Sequence, residues 1–415
     1  MKVLIMGFDG YLGWPLTIRL MAHGHDVIGV DNLYTRNAVE EVGSTSALKI
    51  LTPAQRKIAA ESIFKGTLQI EQFSVAEFNP EKISDVRDTK IYRLIKDTMP
   101  DAIVHFAEQR SAPYSMRNWW HAAYTMNNNI ISTINLIYAW KVIKEETGKD
   151  IHIVKMGTMG EYGTPNFDIP ESHYVKALIN GKRDIIKTPK KAGSWYHQSK
   201  AHDTDNMGLA NKMWGLTATN IMQGPVYGTR TEEITDASLY TRFDFDETWG
   251  TVLNRYCVQA VLNMPLTPYG RGGQTRAFLS LEDSVESLKR LIENPAENGD
   301  FRIVNQFTET YSVMQLAEIV KEVGDEMGLN VSIKNVDNPR IEADIHYYNP
   351  ERNVLPKLGI IRPTRDIKSE IQVILDDLSE EKKRLRKYIR VIEPKTSWKS
   401  SGAIVSNDTK KMSKK

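Results

Sequence analysis

The stretch "GFDGYLGWPLTIRLMAHGHDVIGVD" constrains the fold more than any other part of the chain. Gly7, Gly10 and Gly13 follow the strand-like run "KVLIM", an apolar helix-length segment comes next, and a second strand-like run ends on Asp31. Glycines at this spacing let a chain turn tightly and let its backbone, here with Tyr11 and Leu12, approach a pyrophosphate. They also let the following helix pack closely on the sheet with its N-terminus facing the anion. A carboxylate about 20 residues further on accepts from a ribose 2′-OH and repels a 2′-phosphate, so Asp31 favours NAD over NADP. Asn32 and Arg36 stand beside it as further candidate cofactor residues, and Arg36 slightly weakens the preference for NAD. A turn that binds nothing and a unit that binds FAD are the competing readings.

Five strand-like runs, "KVLIMG", "DVIGVD", "LQIEQF", "AIVHFAE" and "HIVKMGT", alternate with helix-length stretches. This alternation predicts βαβ units and a doubly wound parallel sheet of Rossmann type, covered on both faces. A chain of 415 residues has room for a second unit. The expected division is a nucleotide-binding domain over 1–223, a smaller C-terminal α/β lobe over 224–392 with some interleaving, and a Lys/Ser-rich mobile tail over 393–415. An insertion over about 37–66 holds a helix around "PAQRKIAAESIFKG". After the third strand, Asp85 and Val86 are candidates for holding an adenine, and after the fourth, Phe106 and Ala107 are candidates for the cofactor wall.

Charge excludes little but points away from polyanions. The formal net charge is +2, from 54 basic and 52 acidic residues. The segment 393–415 alone carries six Lys against Glu393 and Asp408. Neither nucleic acid nor membrane insertion is therefore expected. Cys257 is the single cysteine, no apolar run approaches the roughly 18 residues of a membrane span, and the first glycine comes too early for a signal-peptide core. A reducing, cytoplasmic setting follows as the expectation. No His/Cys/Asp grouping has metal-ligand spacing, so no metal is expected.

The chemistry is expected in "SWYHQSKAH". On a helix Tyr196 and Lys200 lie one turn apart on the same face. A free tyrosine titrates near 10, too high for an efficient base, and a neighbouring ammonium lowers it. Thr158, in "KMGTMGEYG", follows an apolar strand and would stand at its C-terminal end, where open α/β sheets place their ligands. His197 titrates in a range suited to proton transfer. A packed or solvent-facing imidazole is the alternative.

The glycine turn, the hydroxyl residue after a later strand and the Tyr-x-x-x-Lys pair together resemble the extended short-chain dehydrogenase/reductase family that acts on nucleotide sugars. The resemblance spans about residues 1–390. Five blocks, "HFAEQRSAPYSM", "GTMGEYGTPNFDIPE", "SWYHQSKAHD", "GQTRAFLSLED" and "NPRIEADIHYYN", are similar to the branch of that family that converts UDP-glucose and sulfite to UDP-sulfoquinovose and water. Sugar dehydratases of the family carry Thr-Asp-Glu-x-Tyr-Gly, whereas this chain has Thr158, Met159, Gly160, Glu161, Tyr162 and Gly163. The usual acid and base are absent, with one carboxylate displaced by a residue, so an ordinary 4,6-dehydratase is not expected.

The resemblance implies bound NAD and a closed redox loop. Tyr196 takes the O4 proton as C4 is oxidised, water leaves C6, sulfite adds there, and C4 is reduced again. Glu161 and His197 are expected to share the elimination and addition protons, with Met159 packing beside the sugar. Sulfite needs a cation, for which Arg110 is the candidate, with Gln109 and Ser111 as donors. A structural pairing of Arg110 with Glu108 or another carboxylate is the alternative. For the nucleotide end the resemblance implies Arg276, Arg340, Asn254 and Arg255, with Gln223 as a further substrate contact. It also implies a homodimer built through a pair of helices on each subunit. Whether sulfite arrives free or from a partner protein is left open. The rival readings are a UDP-glucose 4-epimerase, a UDP-sugar dehydratase and a non-catalytic NAD sensor.

Overall fold

The computed structural model describes residues 1–339, 347–393 and 396. Its centre is a parallel sheet of seven strands, β1 (Lys2–Met6), β2 (Asp26–Asp31), β3 (Leu68–Gln72), β4 (Ala102–His105), β5 (His152–Met156), β8 (Ala218–Gln223) and β11 (Phe301–Gln306). They lie in the order β11-β8-β5-β4-β1-β2-β3. The first five are the five apolar runs of the sequence. Side chains alternate between the faces with the two-residue period of a strand. Val3 and Ile5 join a core with Trp14, Leu16 and Leu20 of helix Gly13–Ala22 and Val285 and Leu288 of helix Leu281–Glu293. Leu4 and Met6 pack on the opposite face against Ile91, Leu136, Trp140 and Met207. Both faces are thus covered, as a parallel sheet requires.

Between β5 and β8 stands an antiparallel hairpin, β6 (Tyr174–Ile179) and β7 (Lys182–Lys187), which the reading of the sequence did not foresee. Its turn carries Asn180 and Gly181 with φ of 52° and 77°. That is the Asn-Gly signature of a type I′ hairpin, and it was present in the sequence.

The C-terminal lobe contains a three-stranded sheet of β9 (Val226–Tyr227), β10 (Thr275–Ser280) and β12 (Glu309–Ser312). Helices Val252–Val261, Val313–Glu326 and Ile367–Glu380 close over a second core that includes Phe243, Tyr256, Leu316 and Ile371. The chain does not stay in this lobe. Helix Leu281–Glu293 and β11 return to the large sheet, so the two units interleave beyond residue 224. The helix expected in the insertion runs from Pro53 to Ile63, started by Thr52 in a reciprocal cap with Gln55. Arg340 and all of the expected tail beyond Glu393 except Thr396 lie outside the described residues.

Candidate active site

In the sheet, β1 lies between β2 and β4, so the strand order reverses there and a crevice opens at the C-terminal strand ends. It holds a cavity of about 500 Å³. Gly7, Gly10, Tyr11, Leu12, Gly13, Asp31 and Asn32 line one end, with Phe106 and Ala107 beside them. Gly7 has φ of +89°, and a Cβ there would lie 2.7 Å from the Phe106 backbone; a Cβ on Gly13 would lie 2.2 Å from the Gly7 carbonyl oxygen. Only glycine fits either position. The following helix begins with no side-chain cap at Leu12, leaving its N-terminus to the cavity. The Asp31 carboxylate accepts from the amides of Asp9, 3.1 Å, and Leu33, 2.7 Å. Burial, and then the Asp9 charge, push it up to about 6. An uncapped helix N-terminus, a backbone that no Cβ could enter and a carboxylate one strand over fit NAD.

Two cofactor expectations need correction. The Arg36 guanidinium is clamped on Asp9 at 2.7 and 2.8 Å and is not part of the cavity wall. Asp85 caps the short turn Val86–Asp88 and pairs with Arg87 at 3.2 Å, so neither Asp85 nor Val86 reaches the cavity. Phe73, Ser74 and Val75, directly after β3, line it instead.

Helix Trp195–Trp214 starts at the cavity because Ser194 caps it, accepting from the His197 amide. Tyr196, His197 and Lys200 all face the cavity, as do Thr158, Met159 and Gly160. Burial raises the Tyr196 hydroxyl, the Glu161 charge adds to that, and Arg110 and a hydrogen bond with Thr158 act the other way. The expected lowering by Lys200 is not among these causes. The Lys200 ammonium lies 5.8 Å from the centre of the Tyr196 ring, donates to the Met156 carbonyl at 2.7 Å and pairs with Glu108. The His197 Nδ1 stands 3.0 Å from the Ser194 hydroxyl, and a Cβ on Gly160 would come within 2.4 Å of its Nε2. The glycine therefore makes room for the imidazole.

Glu161 is a correction. It is fully buried and outside the cavity lining. One oxygen accepts from the Thr158 amide at 3.3 Å; the other takes the Thr204 hydroxyl at 2.8 Å and the Lys190 ammonium at 2.5 Å. Its oxygens are engaged in holding the turn that carries Thr158 rather than facing a sugar.

On the substrate side, Arg110 lines the cavity, stacks over Trp249 at 5.4 Å and pairs with Asp244 rather than Glu108. Asp244 also receives Arg242 through two bonds of 3.0 Å, so two guanidiniums share one carboxylate. Gln109 and Ser111 line the same wall, but their donors are taken: the Gln109 amide donates to Thr125 at 2.7 Å and the Ser111 carbonyl at 3.0 Å, and the Ser111 hydroxyl donates to the Thr248 carbonyl. Arg276 and Gln223 line the far end, and Arg255 lies there with its guanidinium 3.0 Å from the Tyr269 hydroxyl. Asn254 is not in the wall. Its side chain hydrogen-bonds the Tyr11 hydroxyl, which also donates to the Gly228 carbonyl at 2.6 Å, so Asn254 reaches the site through Tyr11. The sequence reading missed Lys191, Glu247, Trp249, Tyr269 and Tyr348, which the lobe and the hairpin base bring to the cavity.

A Rossmann sheet with NAD-fitting glycines and a Tyr/Lys/Thr group at one crevice defines a class, and the chain belongs to the NAD dependent epimerase/dehydratase family, whose model matches residues 3–305. Within that class the chain is similar end to end to a UDP-sulfoquinovose synthase of Sulfolobus acidocaldarius, at 53% identity over 96% of this chain and 98% of the relative. The chloroplastic UDP-sulfoquinovose synthase of Spinacia oleracea is 42% identical over 97% of this chain and 80% of its own. Among solved structures, UDP-glucose 4-epimerase from Bifidobacterium longum, in complex with NAD+ and UDP, shares the fold with a TM-score of 0.65 at 18% identity, covering 92% of this chain and 98% of that one.

Proposed function

We infer that the protein is a UDP-sulfoquinovose synthase, forming UDP-sulfoquinovose and water from UDP-glucose and sulfite. The observation that carries this is the 53% identity to a relative of that name along almost the whole of both chains. Gly7, Gly10, Gly13 and Asp31 would hold NAD, which when bound supplies the acceptor for the C4 hydrogen and its later return. Tyr196, bonded to Thr158 and with Arg110 favouring its charged form, removes the O4 proton, and Lys200 stands one turn along the same helix in the cavity wall. His197, beside Tyr196 in the cavity wall, moves the proton at the C5–C6 side of the sugar. Met159 gives that side an apolar wall, being buried against Tyr162 and Met222. Arg110 draws in sulfite, as a guanidinium in the cavity wall whose carboxylate partner, Asp244, is shared with Arg242. Arg276 and Arg255 receive the UDP end, and Arg340 belongs with them on sequence alone.

The protein acts as a homodimer in the cytoplasm. Helices Trp119–Thr147 and Trp195–Trp214 lie side by side and expose Tyr138, Leu209 and Met213, an apolar surface of the kind a second copy covers. The test of the sulfite assignment is radiolabelled sulfite incorporation into the nucleotide-sugar fraction by Arg110→Ala. The sulfite KM should rise at least about tenfold, the loss of roughly 1.4 kcal/mol of binding, with UDP-glucose affinity unchanged. An unchanged sulfite KM would remove Arg110 from the anion site.

A further inference from the structure

At the cavity wall and directly behind it lie two lysines and two carboxylates, Glu108 and Lys200 in the wall and Lys155 and Asp203 behind, that the account above does not fully use. Glu108, just past the end of β4, has side chain 1% exposed; Lys155 on β5 and Asp203 on the helix bearing Tyr196 are equally buried. One Glu108 oxygen takes the Lys155 ammonium at 2.5 Å, and the other takes Lys200. Lys155 is held from its other side by Asp203 at 3.3 Å. The remaining titratable groups around Lys200 are Tyr196, one turn before it, and His105, which burial keeps far below its usual range and so neutral. Ser132 and Thr133 of helix Trp119–Thr147 reach His105 at 3.2 and 3.3 Å and add no charge.

The charges then sum simply. Glu161, whose charge also reaches Lys155 and Tyr196, is matched by Lys190; Lys155 cancels one carboxylate of the Glu108–Asp203 pair, and a single net negative charge is left for Lys200. A buried ammonium survives only when paired. Glu108 lines the cavity, and Lys155, pinned between two carboxylates, fixes its direction. We propose that Glu108 is a positioning residue that holds Lys200 beneath Tyr196 and keeps it charged, with Lys155 as the rival cation that limits how strongly it does so. Burial draws the Lys200 ammonium down to about 8, and the Asp203 carboxylate, the second negative charge of the group, works the other way. Loss of that charge above this pH removes the help Tyr196 needs, and the alkaline limb of turnover reports the state of Lys200. The proposal deepens the reading of Tyr196 and Lys200 given above, but the charge of Lys200 can be measured with no substrate present, so its failure is distinct from failure of the sulfonate reading.

The experiment is carbon-13 NMR of the full chain with lysine labelled at Cε and glutamate at Cδ, titrated from pH 6 to 11, with Lys200 assigned from the spectrum of Lys200→Arg. Glu108→Gln should move the Lys200 midpoint down, and Lys155→Met should move it up, each by about one to three pH units, the effect of one charge at contact distance. The alkaline limb of kcat should move in the same two directions. Opposite shifts cannot come from a general loosening of the fold. Should either variant fail to fold, the wild-type protein decides alone: the Glu108 Cδ signal must shift at the Lys200 midpoint. A flat Glu108 signal there, or a Lys200 midpoint indifferent to both substitutions, overturns the proposal.

Discussion

His197 and Gly160 form a pair at the scale of single residues. A methyl group added at Gly160 would overlap the imidazole, 2.4 Å from its Nε2, so the ring must leave its place beside Tyr196. Gly160→Ala is expected to lower turnover about a hundredfold, the usual worth of one positioned proton-transfer group, and to match His197→Ala while UDP-glucose still binds. Steady-state kinetics of both variants check this, and wild-type turnover in either would contradict it. Asp31 gives a pH prediction. Only its carboxylate form is a pure acceptor for a ribose diol, and burial beside Asp9 places its titration at about 6. As pH falls through 6 the fraction of acceptor falls, so NAD affinity should weaken by up to about tenfold per pH unit below that point. Equilibrium NAD binding between pH 5 and 8 measures it, and Asp31→Asn should flatten the profile. Much of this was legible in the sequence, because glycine spacing and Tyr-x-x-x-Lys are short-range signals that local geometry enforces. The partners were not. Arg110 meets Asp244 across 134 positions, and Asn254 meets Tyr11 across the lobe boundary. Glu161 turns inward because Lys190, from beyond the unforeseen hairpin, and Thr204 come to it.

Among elements, four of the five N-terminal strands, β1, β2, β4 and β5, could be read directly as apolar runs buried on both faces, while β3, at the sheet edge, is legible by its alternation, with Leu68 and Ile70 on the core side and Gln69 and Gln72 exposed. The return of β11 to the large sheet could not, because no residue within Phe301–Gln306 says which of two sheets will receive it. The helix pair Trp119–Thr147 and Trp195–Trp214 carries the dimer prediction. Leu209 is 57% exposed and Met213 63% exposed, on the helix that also presents Tyr196 to the cavity. Replacing both by Glu would bury charge in a subunit interface and should convert a dimer to a monomer in light scattering coupled to size-exclusion chromatography. A wild-type protein that is already monomeric at micromolar concentration would contradict the assignment of this face.

For the whole molecule, one crevice at the strand-order reversal gathers the glycine turn, the tyrosine helix and the lobe arginines, and the central claim is that this crevice runs oxidation, addition and reduction on one sugar without releasing it. The most direct measurement is mass spectrometry of the nucleotide sugars after the purified protein has been incubated with NAD, sulfite and UDP-glucose deuterated at C4. The account predicts a sulfonated UDP-hexose that appears only with sulfite and keeps its deuterium. UDP-galactose or a 4-keto-6-deoxy sugar formed with or without sulfite, or a sulfonate that has lost the label, would contradict it.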